Sequence, residues 1–194
     1  MAFLSVLPDD ATVLDVLRTF PEPAGALVDY HQVVLRGPSE LTVGERELIA
    51  AFVSGLNSCR YCRGVHEAVA ERFGIEHGIL TALLEDSATA PVRDALKPLF
   101  AYVRKLTERP SRMTPADAEA VLAAGWQERT LYDAVSVCAL FNLMNRIVEG
   151  LGVRAPDEDY FAVAAQRLSS DEKFPAYRGL VRHEHGQGRE IGHA

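Results

Sequence analysis

The sequence predicts an all-α domain. Three observations carry this: apolar residues recur at helical spacing over long stretches, alternating β-branched runs are nearly missing, and several helix starts and stops are legible. With 194 residues, 48% of them hydrophobic, the chain can bury one substantial core and is too short for two large ones. The expected organisation is a single helical domain over residues 1–153, then a C-terminal helix and polar tail over 154–194 that could dock on a partner subunit.

Taken in order, the pattern predicts helices over 23–36, 43–56, 58–73, 76–85, 91–108, 115–124, 128–150 and 157–168. The first carries His31 in DYHQVVLRG, which reads as a packing or surface residue before a pocket residue. Thr42 followed by Glu45 is a capping box that starts the second, and Asn57 or Ser58 caps the third. Gly74 and Gly152 suit the left-handed position that ends a helix. TERPSRM (107–113) reads as a loop, and Thr114 before Pro115 opens the next helix. Tyr30, Trp126 and Phe141 are core candidates, as is Cys138 within VSVCALF. The tail RGLVRHEHGQGREIGHA (178–194) reads as a loosely ordered terminus.

ERELIAA (45–51) echoes ERTLYDA (128–134), and EAVAERFGI (67–75) echoes NRIVEGLGV (145–153), with offsets of 83 and 78. The difference would place five extra residues in the first copy, where two cysteines lie. This suggests a duplicated helix pair with pseudo-symmetric packing, only the first copy carrying chemistry.

A formal charge of −7 with 24% charged residues lacks the clustered basic excess that nucleic acid requires. No apolar run approaches the roughly 20 residues of a membrane span. The start, MAFLSVLPDDATV, has no basic lead or cleavage pattern, so a cytoplasmic protein is expected. In that reducing compartment a Cys-x-x-Cys pair reads as catalytic or metal-binding before it reads as a structural disulfide.

NSCRYCRGVHEA (57–68) holds such a pair. Cys59, Cys62 and His66 fall within an arc of roughly 60° on one helix face, with Tyr61 pointing away. The first helical turn stabilises a thiolate, which is the nucleophile, and the spacing lets the two sulfurs meet. His66 is four residues from Cys62 and seven from Cys59, which favours Cys62 as nucleophile and Cys59 as resolving thiol. Glu47 lies opposite the stripe Leu48, Ile49, Phe52, Val53 and Leu56, on a face of small residues, Ala50, Ala51 and Ser54, that would let a second helix approach closely. It would then sit in an inter-helix crevice, desolvation raising its pKa toward that of a general base.

Glu47 followed by Cys59-x-x-Cys62-x-x-x-His66, after LTVGERELIAAFVSGLNS, resembles the AhpD-like alkylhydroperoxidase core of the carboxymuconolactone decarboxylase superfamily. The later GWQERTLYDAVSVCALFNLMNRIVEGLGV looks like the second half of a peroxidase-related subgroup, so the resemblance spans residues 25 to 153. It implies an all-helical homo-oligomer that reduces hydroperoxides with its thiols. Glu47 and His66 would relay a proton to and from Cys62, and Cys59 would face a dithiol or lipoyl-bearing protein reductant. Tyr61 stands where the best-known member has a histidine, which bears on rate and reductant. No cofactor and no resident metal are expected.

Three other readings compete. Zinc could use Cys59, Cys62, His66 and Glu47, but no second ligand pair falls at a convincing spacing. A decarboxylase of the same superfamily would not use the thiols. A redox sensor would oxidise once, where an enzyme turns over.

Overall fold

The computed structural model describes residues 1–155, 157, 159–169, 177 and 180. The chain order is α1 (Val13–Thr19), α2 (Pro21–Arg36), α3 (Val43–Leu56), α4 (Arg60–Arg72), α5 (Ile79–Glu85), α6 (Leu96–Glu108), a 3-10 turn (Pro110–Arg112), α7 (Pro115–Ala123), α8 (Glu128–Gly150) and α9 (Asp159–Leu168). Among the described residues there is no strand. The all-α expectation holds.

Local signals explain most boundaries. Thr42 and Glu45 form the expected capping box at α3, the Thr42 hydroxyl accepting from the Glu45 N–H at 3.1 Å. Thr114 caps α7 with Asp117 as its partner and Pro115 in the first turn. Gly74 and Gly152 take the positive φ that a side chain disfavours. The short α1 was missed because seven residues give too little periodicity. The segment 107–113 is not all loop: α6 runs on to Glu108, and Pro110 starts the 3-10 turn.

α3 is the central element. From Gly44 to Ser54 every residue is buried, and α2, α4, α5, α6 and α8 all pack on it. A helix enclosed on all sides buries both its apolar stripe and its small-residue face. Phe52 meets Phe100 of α6 edge to face at 5.1 Å. α4 folds back on α3 through residues 57–59, and α9 lies over α4 of its own chain. Close approach of α9 depends on Gly64, where an added Cβ would sit 2.6 Å from the Phe161 ring. Phe141, Trp126 and Cys138 are buried as expected, whereas Tyr30 is exposed.

The two echoing segments do not form matching helix pairs. Residues 45–75 span two helices broken at 57–59, while 128–150 is one unbroken helix of 23 residues. Its interior has no equivalent of the Asn57-Ser58 turn, so the backbone hydrogen bonds of α8 continue without interruption. α8 has the length and mean hydropathy of a membrane span, correcting the sequence estimate, but half of that window is buried inside this protein. The expected polar tail, 178–194, lies outside the described residues except for Leu180.

Candidate active site at the junction of α3, α4 and α8

The site begins with a sharp turn. Ser58 adopts φ 57°, unusual for a side-chain-bearing residue, and reverses the chain between α3 and α4. Asn57 ties this turn to α8, its amide donating to the Oδ1 atoms of Asn145 at 2.9 Å and Asn142 at 3.1 Å. Cys59 is therefore the N-cap of α4, one position before the expected first turn, and its carbonyl accepts from the Arg63 N–H at 3.0 Å.

Both thiols are free and buried. They hydrogen-bond each other, and the Cys62 thiol and N–H together hold Cys59 below the usual thiol range despite its burial. The same contact and burial push Cys62 well above that range, partly offset by the Asn145 amide. The lowered pKa thus falls on Cys59, whereas proximity to His66 had pointed to Cys62. Asn145 is itself buried and also donates to Ser54 Oγ at 3.0 Å. On the outer side of Cys59 stands Glu149, paired with Arg154 at 3.2 Å.

Glu47 is completely buried, in the α3–α4 crevice that its small-residue face predicts. Its Oε2 accepts from His66 Nδ1 at 2.6 Å, and its Oε1 accepts from Arg36 Nη1 at 2.5 Å and Tyr177 Oη at 2.9 Å. Burial alone would raise its pKa, as the sequence reading expected, but the charges and hydrogen bonds of His66 and Arg36 reverse this and hold it at about 2. Glu47 is therefore a fixed anion at neutral pH and not a proton acceptor. What it can do is orient His66: with Nδ1–H committed to the carboxylate, Nε2 is the nitrogen able to take a proton. The His66 ring packs edge-on against Phe141 at 4.3 Å.

Arg36 and Tyr177 escaped the sequence reading. Arg36 closes α2 in the pattern of a last-turn cation and is held between the rings of Phe73 and Tyr177, at 5.1 and 5.0 Å. Nothing local marks Tyr177, which lies 130 residues from Glu47. Tyr61 does point away from the cysteines, but toward α9: it is buried, accepts from the Val13 N–H at 3.3 Å and meets the Tyr160 hydroxyl at 2.5 Å.

Solved structures of other proteins share this fold. A model described as "Carboxymuconolactone decarboxylase family" matches residues 21–99. The chain is similar to the solved structure of an uncharacterized peroxidase-related protein from Silicibacter sp. TM1040, with 26% identity over 77% of this chain and 78% of that one, TM-score 0.70. It is also similar to the alkylhydroperoxidase AhpD core of an uncharacterized peroxidase-related protein from Ralstonia eutropha JMP134, with 25% identity over 79% and 80%, TM-score 0.71. Its core is AhpD-like. A protein of unknown function from Agrobacterium tumefaciens shares the fold at 20% identity, covering 73% of this chain and 96% of that one, TM-score 0.61. No curated protein matches. The resemblance is borne out in the fold, and the family model that matches covers residues 21–99.

Two hollows flank the AhpD-like core. One, about 140 Å³, is walled by apolar side chains of α1, α2, α4, α8 and α9 together with His31, Tyr61, Tyr160, Arg167 and Tyr177. Its walls Tyr61 and Val65 bracket Cys62 along α4, and Met144 precedes the Asn145 that bonds that thiol. The other, about 640 Å³, is more polar and includes Arg60, Glu149, Arg154 and Asp157 beside Cys59. Tyr61 belongs to both walls. Among the described residues no three His, Cys, Asp or Glu side chains gather as a metal site, and Glu47 is already taken by Arg36, His66 and Tyr177.

Proposed function

We propose that this protein is a thiol-dependent peroxidase that reduces organic hydroperoxides. The observation that carries the reading is a pair of hydrogen-bonded thiols opening a helix whose next turns bring a histidine oriented by a buried carboxylate. The peroxidase-related names of two structural relatives support it.

In this reading Cys62 is the attacking sulfur. The reduced pair loses one proton to His66 Nε2, and the remaining proton moves between the sulfurs; when it rests on Cys59, Cys62 is a thiolate supported by the Asn145 amide. Cys62 attacks the terminal oxygen of the hydroperoxide, the O–O bond breaks, and the leaving alkoxide takes the proton from His66 to depart as the alcohol. Cys62 is now a sulfenic acid. Cys59 attacks its sulfur, hydroxide leaves with the Cys59 proton as water, and a disulfide remains. A dithiol, free or lipoyl-borne, returns two electrons by attack on Cys59 from the polar hollow. A cytoplasmic homo-oligomer is the setting in which we place it.

The test is turnover of cumene hydroperoxide with dihydrolipoamide. Cys62→Ser should be inactive, while Cys59→Ser should consume one equivalent of peroxide and stop. If Cys62→Ser retains the single turnover and Cys59→Ser loses it, the two roles are exchanged, as the lower pKa of Cys59 would then explain. No turnover by the parent protein with any dithiol would end the peroxidase reading.

A further inference from the structure

The apolar hollow against α4 is lined by a histidine whose second ring nitrogen has no hydrogen-bond partner among the described residues. His31 is 7% exposed, and its Nδ1–H donates to the Leu27 carbonyl one turn back on α2 at 2.7 Å. That bond fixes the tautomer and leaves Nε2 as the acceptor of a ring that lines the hollow. The ring cannot easily turn to seek another partner, because Phe141 meets it edge-on at 6.0 Å and Tyr177 stacks against it at 5.3 Å. Nε2 has no hydrogen-bond partner among the described residues. Burial lowers the pKa to about 4, so the ring stays neutral and its acceptor stays available.

The other polar groups on this wall are occupied. Tyr61 and Tyr160 bond each other, and Tyr61 also accepts from Val13 N–H. Tyr177 donates to Glu47. Arg167 is on the wall as well and is itself engaged, and the apolar remainder, including Val13, Leu17, Val28, Val65 and Met144, offers only dispersion. A buried acceptor facing an apolar void is unfavourable until something donates to it. A void of ~150 Å³ holds about one benzene ring, and this one measures about 140 Å³.

We propose that His31 Nε2 seats the O–H of a compact hydroperoxide, so that the hollow selects a molecule with an apolar body about one aromatic ring in size and a single hydrogen-bond donor. The inference rests on the peroxidase reading for the identity of the donor group, but binding can be measured without turnover. The hydroperoxide group would lie beside His31, whose ring meets Phe141, the ring that His66 also packs against. His31 would set specificity and position, leaving the proton chemistry to His66.

Binding is measured by calorimetry on the full chain carrying Cys59→Ser and Cys62→Ser, which cannot turn over. The probes are cumene hydroperoxide, cumyl alcohol and tert-butylbenzene, the last replacing the alcohol's hydroxyl by a methyl group. The expected result is that the two donors bind, and that the ratio of alcohol to hydrocarbon affinity falls at least tenfold in His31→Phe, which keeps a ring in the stack. Hydrocarbon binding by His31→Phe should be equal or tighter, which shows that the hollow is intact. His31→Gln, which restores an acceptor, should recover part of the ratio. An unchanged ratio in His31→Phe, or no binding of any probe to the parent, overturns the proposal. Selective binding without peroxide turnover in the cysteine-containing protein would instead leave His31 in place and remove the peroxidase reading.

Discussion

Glu47 and His66 meet at 2.6 Å across the α3–α4 interface, the carboxylate wholly removed from solvent and the imidazole nearly so. Because Arg36 and Tyr177 hold the other carboxylate oxygen, the pair behaves as an oriented histidine more than as a two-member relay. Glu47→Gln tests this. To keep its acceptor on Arg36 and Tyr177, the Gln amide must turn its N–H toward His66 Nδ1, which forces the proton to Nε2 and removes the base. Peroxide turnover should fall by about 10² to 10⁴. Chemical denaturation should show a loss on the order of 3 kcal/mol, since Arg36 is left as a buried cation without its counter-charge. Unchanged turnover would show that His66 does not work through Glu47.

Acid should weaken the fold in two steps. His31 has its pKa lowered from 6.5 to about 4 by burial, against the opposing pull of the Leu27 carbonyl. The unfolded chain therefore binds its proton first, and stability is full above pH 6.5 and falls as pH drops toward 4. Glu47 is lowered from 4.5 to about 2, so its contribution is full above pH 4.5 and is lost between 4.5 and 2. Unfolding free energies from urea titrations between pH 7 and pH 4 should decline by roughly 3 kcal/mol from His31 alone. His31→Phe should flatten that part of the curve and leave the lower step.

Asn145 links the thiol to the turn that presents it. Asn145→Leu removes the donor to Cys62 and Ser54 and the acceptor for Asn57. Stopped-flow reaction with cumene hydroperoxide should slow about tenfold, the effect of ~1.4 kcal/mol less support for the thiolate. Stability should fall by about 1–3 kcal/mol because Ser54 and Asn57 lose a buried partner. A reaction rate equal to that of the parent would remove Asn145 from the chemistry.

Gly64→Ala should separate α9 from α4. The new methyl group would fall within 2.6 to 2.8 Å of the Phe161 ring, which must swing off the helix. The expected cost is about 1–3 kcal/mol, read as a drop of about 2–12 °C in Tm for a chain of this size. Since Tyr160, Ala164 and Leu168 of α9 wall the apolar hollow, KM for a ring-sized hydroperoxide should rise more than kcat falls. A normal Tm and KM would show that α9 adapts without moving.

Much of this protein is local in origin. The Thr42–Glu45 box, the Thr114–Pro115 start, and the apolar periodicity of 43–56 and 128–150 fix helices whose ends the structure repeats, because capping and amphipathic burial act within a few residues. The same locality placed Cys62 and His66 on one helix with Cys59 at its N-cap, and the small face of α3 foretold that Glu47 would be enclosed. Charge state and completion of the site were not local. The pKa of Glu47 turns on His66 and Arg36, the hydrogen bonding of Cys62 on Asn145, and the environment of Tyr61 on Tyr160, all brought by other helices. Helical spacing records which side of a rod a residue occupies; the dielectric and the charges it meets there exist only once the rods have packed.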